Sequence, residues 1–228
     1  MKKARIQESS LYYLQRLKKN NNRDWFLANK ALYIQAQDNL EQFAEALLNE
    51  LNTHDLIETP SGKKRLHRIY RDTRFSTDKT PYKTNLSGNF TRATKSRRGG
   101  YYFHIEPGNS FIAGGFWNPN PQDIKRIRDE IASDANSLRK ILKSRSFVST
   151  FGKLQGEQLK TAPKGFDIDN DAIDLLRYKQ FLLIRKFTDT EVLEPLFVSQ
   201  AARTFRNMRP FFDYMSEILA TDLNGVAL

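Results

Sequence analysis

The spacing of apolar residues changes along the chain, and this change restricts the fold more than any other feature. Before residue 60, apolar side chains recur every three or four positions, as in the stripe from Trp25 to Leu51. That spacing is typical of one buried helix face. Between Lys63 and Trp117 it falls to about two, which is typical of strands, and helical spacing returns after Asn120. The pattern predicts an α+β fold.

The middle segment predicts an antiparallel β-meander. Four strands are expected at residues 66–71, 86–91, 101–106 and 110–117. Short turn-like stretches join the later strands, and such turns favour antiparallel neighbours because a parallel partner needs a long crossover. The pair Gly114-Gly115 inside the last strand predicts either close packing against the long N-terminal helix or the approach of a ligand.

The N-terminal segment predicts two helices. Ser9 is expected to cap the first, which the run Asn20-Asn21-Asn22 breaks. The second is expected to begin near Arg23 and to continue to Leu51, with its apolar face covering the sheet.

The C-terminal segment predicts further helices over the same sheet. Asn120 is expected to cap a helix that ends near Ser144. Residues 181–187 fit either a strand or a continued helix, and Thr188–Glu191 has the spacing of a capping box that opens the terminal helix. Pro210 is expected to kink or restart that helix.

Length and composition restrict the class of protein. The 228 residues contain no linker-like segment, so we expect a single domain over 1–228: helical 1–60, β-rich and basic 61–119, helical 120–228. The absence of cysteine excludes disulfides, thiol catalysis and cysteine-based zinc sites. Without an apolar run of membrane length, the sequence predicts a cytoplasmic protein with no membrane partner.

The positive charge is concentrated in one segment. The chain has a formal net charge of +11. Between Lys63 and Arg98 there are twelve Lys and Arg residues and only two acidic residues, a net charge of +10. Because aromatic residues are interleaved with these cations, the segment favours an anionic partner over a merely solvated basic face.

The run Arg71–Asn85 is the most distinctive stretch within that segment. It contains no glycine and alternates cations, carboxylates and hydroxyls, so it predicts an ordered loop at the end of a strand rather than a linker. Arginine and lysine side chains in such a loop bind phosphate or carboxylate groups. The predicted ligand-binding residues are Arg71, Asp72, Arg74, Ser76, Asp78, Lys79, Tyr82 and Lys83.

The two aspartates of this run fit two roles. Asp72 and Asp78 can pair with Arg71 and Arg74 to fix the loop, or one of them can act as a general base or metal ligand beside a bound phosphate. The structural role is favoured, because a dense cationic loop needs counter-charge to hold one shape.

A nucleic acid is the alternative anionic partner. In that hypothesis a cluster of cations contacts the phosphates while bases stack on Tyr101, Phe103 and Trp117, provided that these rings lie on an open sheet face and not in the core. The cations of this cluster are Arg92, Lys95, Arg97 and Arg98.

Catalysis is less well specified by the sequence. The common nucleotide-binding, hydrolase and zinc-protease motifs are missing. His104 lies two residues before Glu106, so both would share a strand face, which gives a weak acid–base signal. An enzyme acting on a phosphorylated small molecule stays open, with unknown catalytic residues; no metal site is predicted and no cofactor is identified.

Several segments resemble a bacterial and fungal family of conserved hypothetical proteins, a domain of unknown function. The resemblance is carried by Asn22–Phe26, Arg68–Ser76, Asp78–Thr84, Gly100–Gly108 and Ala113–Trp117. It extends over nearly the whole chain, and its most specific part is the motif RIYRDTRFSxDKTPYKT. The resemblance implies a single domain of about this length and brings no established activity.

Overall fold

The structure is a computed structural model in which residues 4–221 are described. It confirms the α+β prediction. The fold contains a four-stranded antiparallel sheet, and helices occur in the sequence both before and after the strands of this sheet. The strands follow the spatial order β1-β2-β3-β4. They are β1 (Leu86–Thr91), β2 (Gly100–Ile105), β3 (Ser110–Phe116) and β4 (Phe181–Phe187).

The predicted strand at residues 66–71 is wrong as a regular strand. Its residues pair only through two isolated antiparallel bridges, between Leu66 and Gly88 and between Tyr70 and Tyr82. These two bridges are out of register by two residues, so no continuous ladder can connect them. For residues 181–187, which fitted strand or helix, the structure has a strand.

The N-terminal helices differ from the prediction at their ends. They are α1 (Glu8–Lys19), α2 (Arg23–Ala28) and α3 (Lys30–Leu51). Gln7, and not Ser9, occupies the N-cap of α1. The expected long second helix is divided because Asn29 leaves helical geometry, with φ −112° and ψ 20°. Asn22 caps α2 by accepting a hydrogen bond from the Trp25 N–H.

The helices after β3 agree only in part with the sequence prediction. They are α4 (Pro121–Ser133), α5 (Asn136–Lys143), α6 (Arg145–Phe151), α7 (Ile173–Leu176), α8 (Asp189–Leu193) and α9 (Phe197–Ala220). Asn120 caps α4 as predicted, but the helix ends at Ser133 and not near Ser144. The capping box of Thr188 and Glu191 is confirmed, but it opens the short helix α8 and not the terminal helix α9. Pro210 lies inside α9, which does not restart there. Within residues 4–221, no helix has the length and apolar character needed to cross a bilayer.

The chain forms two compact units, and each strand contributes residues to both. Within the described residues, the first comprises residues 4–90, Tyr102–Ile112 and Lys186–Arg203. In its core, the Phe43 ring of α3 lies 5.6 Å from the Phe103 ring and 5.3 Å from the Phe197 ring, measured between centroids. Residues 71–83 belong entirely to this unit.

The second unit comprises Thr91–Tyr101, Ala113–Arg185 and residues 204–221 of the described chain. The glycine pair of β3 makes close protein contacts there. A Cβ on Gly114 would lie 2.6 Å from the Met208 sulfur, and Gly115 has a φ of +135° beside the Phe181 carbonyl oxygen. These contacts are those of close packing, but the partners are α9 and β4 and not the long N-terminal helix.

Candidate functional site

The segment Arg71–Pro81 forms the loop of an irregular hairpin, which we call the motif loop. At its base the Arg71 N–H donates to the Pro81 carbonyl oxygen at 2.9 Å, and the Lys83 N–H donates to that of Ile69 at 2.7 Å. The side chains of Tyr70 and Tyr82 stand at the bridge that closes the loop. The sequence prediction of an ordered loop in this segment agrees with this arrangement.

Most charges of the motif loop are paired within the loop itself. Arg71 Nη1 donates to Asp78 Oδ2 at 2.5 Å and also bonds to the Thr80 hydroxyl. The Arg74 guanidinium donates hydrogen bonds to both carboxylate oxygens of Asp72, at 3.0 and 2.7 Å. Lys79 Nζ donates to the Thr73 carbonyl oxygen at 2.9 Å.

The acidity of the two aspartates reflects this pairing. The pKa of Asp78 falls to about 2, because its carboxylate accepts hydrogen bonds from the Thr80 N–H, the Arg71 guanidinium and the Thr80 hydroxyl. Hydrogen bonds from Arg74 likewise lower the pKa of Asp72. Both carboxylates are therefore ionised counter-charges, which suits the structural role and gives a poor general base at neutral pH.

Lys83 lies in a different environment from the other cations of the motif. Its side chain is half-buried and makes no hydrogen bond or ion pair within the described part of the chain. Burial lowers the pKa of Lys83, and the nearby positive charge of Arg68 lowers it further. Arg68, which the predicted ligand-binding set did not include, is exposed. It forms no ion pair within residues 4–221, although its charge helps to lower the pKa of Asp72.

The predicted ligand-binding residue Tyr82 is buried in an aromatic cluster. Its ring stacks on the Phe26 ring at a centroid distance of 4.0 Å. The rings of Tyr33 and Tyr70 also pack against Phe26, at 5.3 and 6.1 Å. Tyr13, only 1% exposed, lies beside Tyr33, and its hydroxyl has no hydrogen-bond partner within residues 4–221.

Asn21 fixes the motif hairpin to the helical segment. Its side-chain Nδ2 donates to the Tyr82 carbonyl oxygen at 2.9 Å, and its Oδ1 accepts from the Tyr82 N–H at 3.1 Å. Sequence reasoning treated Asn20-Asn21-Asn22 only as a helix break. The proximity of these asparagines to the family-like segment Asn22–Phe26 was the available signal for a larger role.

A chain of hydrogen bonds runs along β2 on the face opposite to Phe103. His104 Nδ1 bonds to the Tyr102 hydroxyl at 3.0 Å, and its Nε2 to Glu106 Oε2 at 3.2 Å. Thr84 Oγ1 donates to Glu106 Oε1 at 2.7 Å. Burial lowers the pKa of His104 although Glu106 acts in the opposite direction, so the imidazole is neutral at pH 7.

This chain continues beyond Tyr102 to a second histidine. Ser87 hydrogen-bonds with the Tyr102 side chain, which opposes the larger effect of burial, so the pKa of Tyr102 is raised. Ser87 Oγ also lies 3.2 Å from Nδ1 of His67, which is exposed. The sequence prediction found the His104–Glu106 pair but missed Tyr102, Ser87 and His67.

The predicted nucleic-acid contacts lie in or near the turn between β1 and β2. Arg92 is 2% exposed and donates to Asp213 Oδ1 at 2.5 Å, and Arg98 forms an ion pair with Asp123. Lys95 is exposed and Arg97 half-buried. The structure thus does not bring these four cations together on one open surface.

The three aromatic residues of the nucleic-acid hypothesis also differ in their exposure to solvent. Tyr101 and Phe103 are core residues, whereas the Trp117 side chain is exposed. The condition of an open aromatic sheet face is therefore not met for the first two. Over the described residues, no group of three or more histidine or acidic side chains could hold a metal ion.

Comparison with known proteins gives one match. No curated protein and no solved structure matches the chain. The family model described as a conserved hypothetical protein, DUF2461, matches residues 9–214. These residues include all four strands of the sheet, the motif loop and the hydrogen-bond chain of β2. The chain therefore belongs to the DUF2461 family of conserved hypothetical proteins.

Proposed function

We propose that this protein binds a phosphate-bearing or otherwise anionic ligand at the motif hairpin, next to Lys83 and Arg68. The observation that carries the proposal is the environment of Lys83. The Lys83 ammonium group is half-buried beside the cation of Arg68, and neither forms a direct ion pair with a carboxylate within residues 4–221. An anion bound there would replace lost hydration and relieve the repulsion between the two cations.

The motif loop supports this site in a different way from the sequence hypothesis. Arg71, Arg74 and Lys79 already donate to groups of the loop, so they would hold the hairpin in shape. The anion would then be bound by Lys83 and Arg68, whose side chains form no ion pair within residues 4–221. Arginine supplies a planar pair of donors for phosphate, and lysine a point charge.

A titration with inorganic phosphate tests the proposal. We expect phosphate to raise the melting temperature of the protein and to give a saturable heat of binding, since a ligand that binds only the folded state stabilises it. The Lys83→Met variant should lose most of this response. Lys64→Met is the matched control, because Lys64 is exposed and belongs to the same basic segment.

Two results would contradict the proposal. One is a phosphate response that is equal in the Lys83→Met and Lys64→Met variants, which would indicate general charge screening. The other is the absence of any response to phosphate, sulfate or pyrophosphate at low ionic strength.

A second candidate function is catalysis on a phosphorylated small molecule. The specific observation that favours it is the β2 hydrogen-bond chain, in which Glu106 accepts from His104 and the neutral imidazole can accept the Tyr102 proton. Such a chain supports general acid–base chemistry. Its exposed end is His67.

The catalytic candidate is tested with a chromogenic phosphate monoester. Turnover is expected in the wild-type protein, with a strong loss in His104→Gln and retention in Lys64→Met. Equal rates in the wild type and His104→Gln would assign the hydrogen-bond chain to folding alone.

A further inference from the structure

Phe75 is the most exposed large apolar side chain of the described residues, at 96%. Most such side chains become at least partly buried when a protein folds. Phe75 lies near the middle of the motif loop, and the loop is held by the ion pairs of Arg71 with Asp78 and of Arg74 with Asp72. The ring is thus presented to solvent on an ordered support.

A planar cation lies close to the Phe75 ring, and a second exposed aromatic ring lies on the same hairpin. The Arg74 guanidinium carbon lies 5.8 Å from the centroid of Phe75, within the range of a cation–π contact. Tyr70, at the base of the loop, is a second exposed ring, with 58% of its surface accessible. Two accessible aromatic rings therefore lie on the same hairpin.

The segment from residue 65 to residue 83 also carries an excess of positive charge, with six Lys and Arg residues against Asp72 and Asp78. Within the described part of the chain, four of these cations form no ion pair with a carboxylate. The four are Arg65, Arg68, Lys79 and Lys83. Together with the exposed rings, they have the composition of surfaces that bind unpaired nucleotides, where bases stack on aromatic rings and cations contact phosphates.

We infer that the motif hairpin binds single-stranded nucleic acid, with a base stacked on Phe75. This inference rests on the proposed function, because it names the anionic ligand of the same hairpin. It replaces the Arg92–Arg98 turn and the sheet aromatics as the contact surface, since Arg92, Tyr101 and Phe103 are buried. A duplex is disfavoured because its bases are already stacked on one another.

A membrane surface is the main competing partner for an exposed ring among cations. Insertion of Phe75 into lipid would also take the flanking ion pairs of Asp72 and Asp78 out of water, which is costly. A base stacked on the ring leaves those pairs solvated. The structure therefore favours nucleic acid over lipid.

Fluorescence anisotropy with a labelled oligothymidylate tests the inference. We expect the logarithm of the binding constant to fall linearly with the logarithm of the salt concentration, with a slope of about −2.8, which is about −0.7 for each of four phosphate contacts. Phe75→Ala should weaken binding about 5- to 150-fold, the range measured for loss of one base–aromatic stack. Because Phe75 is exposed, its substitution should leave the fold intact, and melting temperatures check this.

Two further variants separate stacking from simple apolar contact. Phe75→Trp should retain binding, whereas Phe75→Leu, which is apolar but not planar, should bind as weakly as Phe75→Ala. Trp117→Ala is the matched control for an exposed aromatic ring elsewhere, and it should bind like the wild type. Lys143→Glu is the control for charge reversal of Arg68.

The possible outcomes distinguish the alternatives. Full binding by Phe75→Leu, or equal loss in Arg68→Glu and Lys143→Glu, would overturn the inference. Phe75-dependent binding to phosphatidylserine vesicles without oligonucleotide binding would assign the hairpin to membranes. If phosphate still binds in a Lys83-dependent manner but no oligonucleotide does, only this inference fails; if neither binds, the proposed function fails with it.

Discussion

At the scale of single residues, the buried Tyr13 and the half-buried Tyr102 differ in how their hydroxyl groups are satisfied. Tyr102 is bonded to His104 Nδ1 at 3.0 Å, whereas the buried hydroxyl of Tyr13 has no partner within residues 4–221. Burial raises the pKa of Tyr13, so its hydroxyl keeps its proton and remains a donor. A buried polar group without a partner costs about 1–3 kcal/mol of stability.

We therefore predict opposite effects of removing the two hydroxyls. Tyr13→Phe should raise the free energy of unfolding by about 1 kcal/mol, because it removes an unpaired donor. Tyr102→Phe should lower it by about 1 kcal/mol, because His104 then loses a partner. Urea unfolding of both variants measures the difference. A destabilised Tyr13→Phe would mean that a bound molecule satisfies the Tyr13 hydroxyl.

At the scale of elements, the connection between α1 and α2 is fixed to the motif hairpin by one side chain. Asn21 makes two hydrogen bonds with the backbone of Tyr82. We predict that Asn21→Ala lowers the free energy of unfolding by about 1–3 kcal/mol, since each bond contributes about 0.5–1.5 kcal/mol. Asn136→Ala, at an exposed helix start, serves as the control in the same chemical denaturation. Equal effects in both variants would contradict the role given to Asn21.

The motif loop gives a second prediction for an element. Asp78→Asn removes the charge that pairs with Arg71 while an amide oxygen can still accept from the Thr80 N–H. We expect faster amide hydrogen exchange over residues 71–81, with little change in the melting temperature, because exposed ion pairs contribute little to global stability. Asp129→Asn, which breaks the exposed pair with Lys125, should leave exchange in the loop unchanged. Unchanged exchange in Asp78→Asn would show that the ion pair does not order the loop.

The elements that the sequence predicted best are those fixed by local chemistry. Alternation and short turns located β1, β2 and β3, and side-chain caps located the starts of α4 and α8. The register of residues 66–71 could not be predicted, because it depends on pairing with residues 82–88 across the motif loop.

Partners distant in sequence limited the prediction of the site in the same way. The carboxylate that pairs with Arg92 belongs to Asp213, and no local pattern announces such a partner. Alternation did contain a signal, since Arg92 shares a strand face with Phe90, which is buried. The exposure of Phe75 and the lack of an ion pair at Lys83 could be recognised only in the folded chain, because both depend on which residues lie nearby in space.

At the scale of the whole molecule, the hydrogen-bond chain of β2 links stability to pH. Burial lowers the pKa of His104 below its ordinary 6.5, an effect only partly opposed by Glu106. The unfolded chain then binds a proton more readily than the folded one. The contribution of His104 to the free energy of unfolding is therefore fully present above about pH 6.5, and it is lost as the pH falls through the pKa of the folded state.

Glu106 adds a second, more acidic range. Burial would raise the pKa of Glu106, but hydrogen bonds from Asn109, Thr84 and His104 outweigh it, so the pKa lies below the ordinary 4.5. Its contribution is present above about pH 4.5 and is lost as the pH falls through the folded value. The two groups thus act in adjacent pH ranges.

We predict that the free energy of unfolding, measured in urea, declines between about pH 7 and pH 5 in the wild type, because His104 must take up a proton at a buried position. His104→Asn should be less stable at neutral pH and should show a smaller decline over this range. Glu106→Gln should instead reduce the decline below about pH 4.5. Equal slopes in the wild type and His104→Asn between about pH 7 and pH 5 would place the responsible proton on another group, and the β2 chain would then contribute hydrogen bonds without coupling stability to pH.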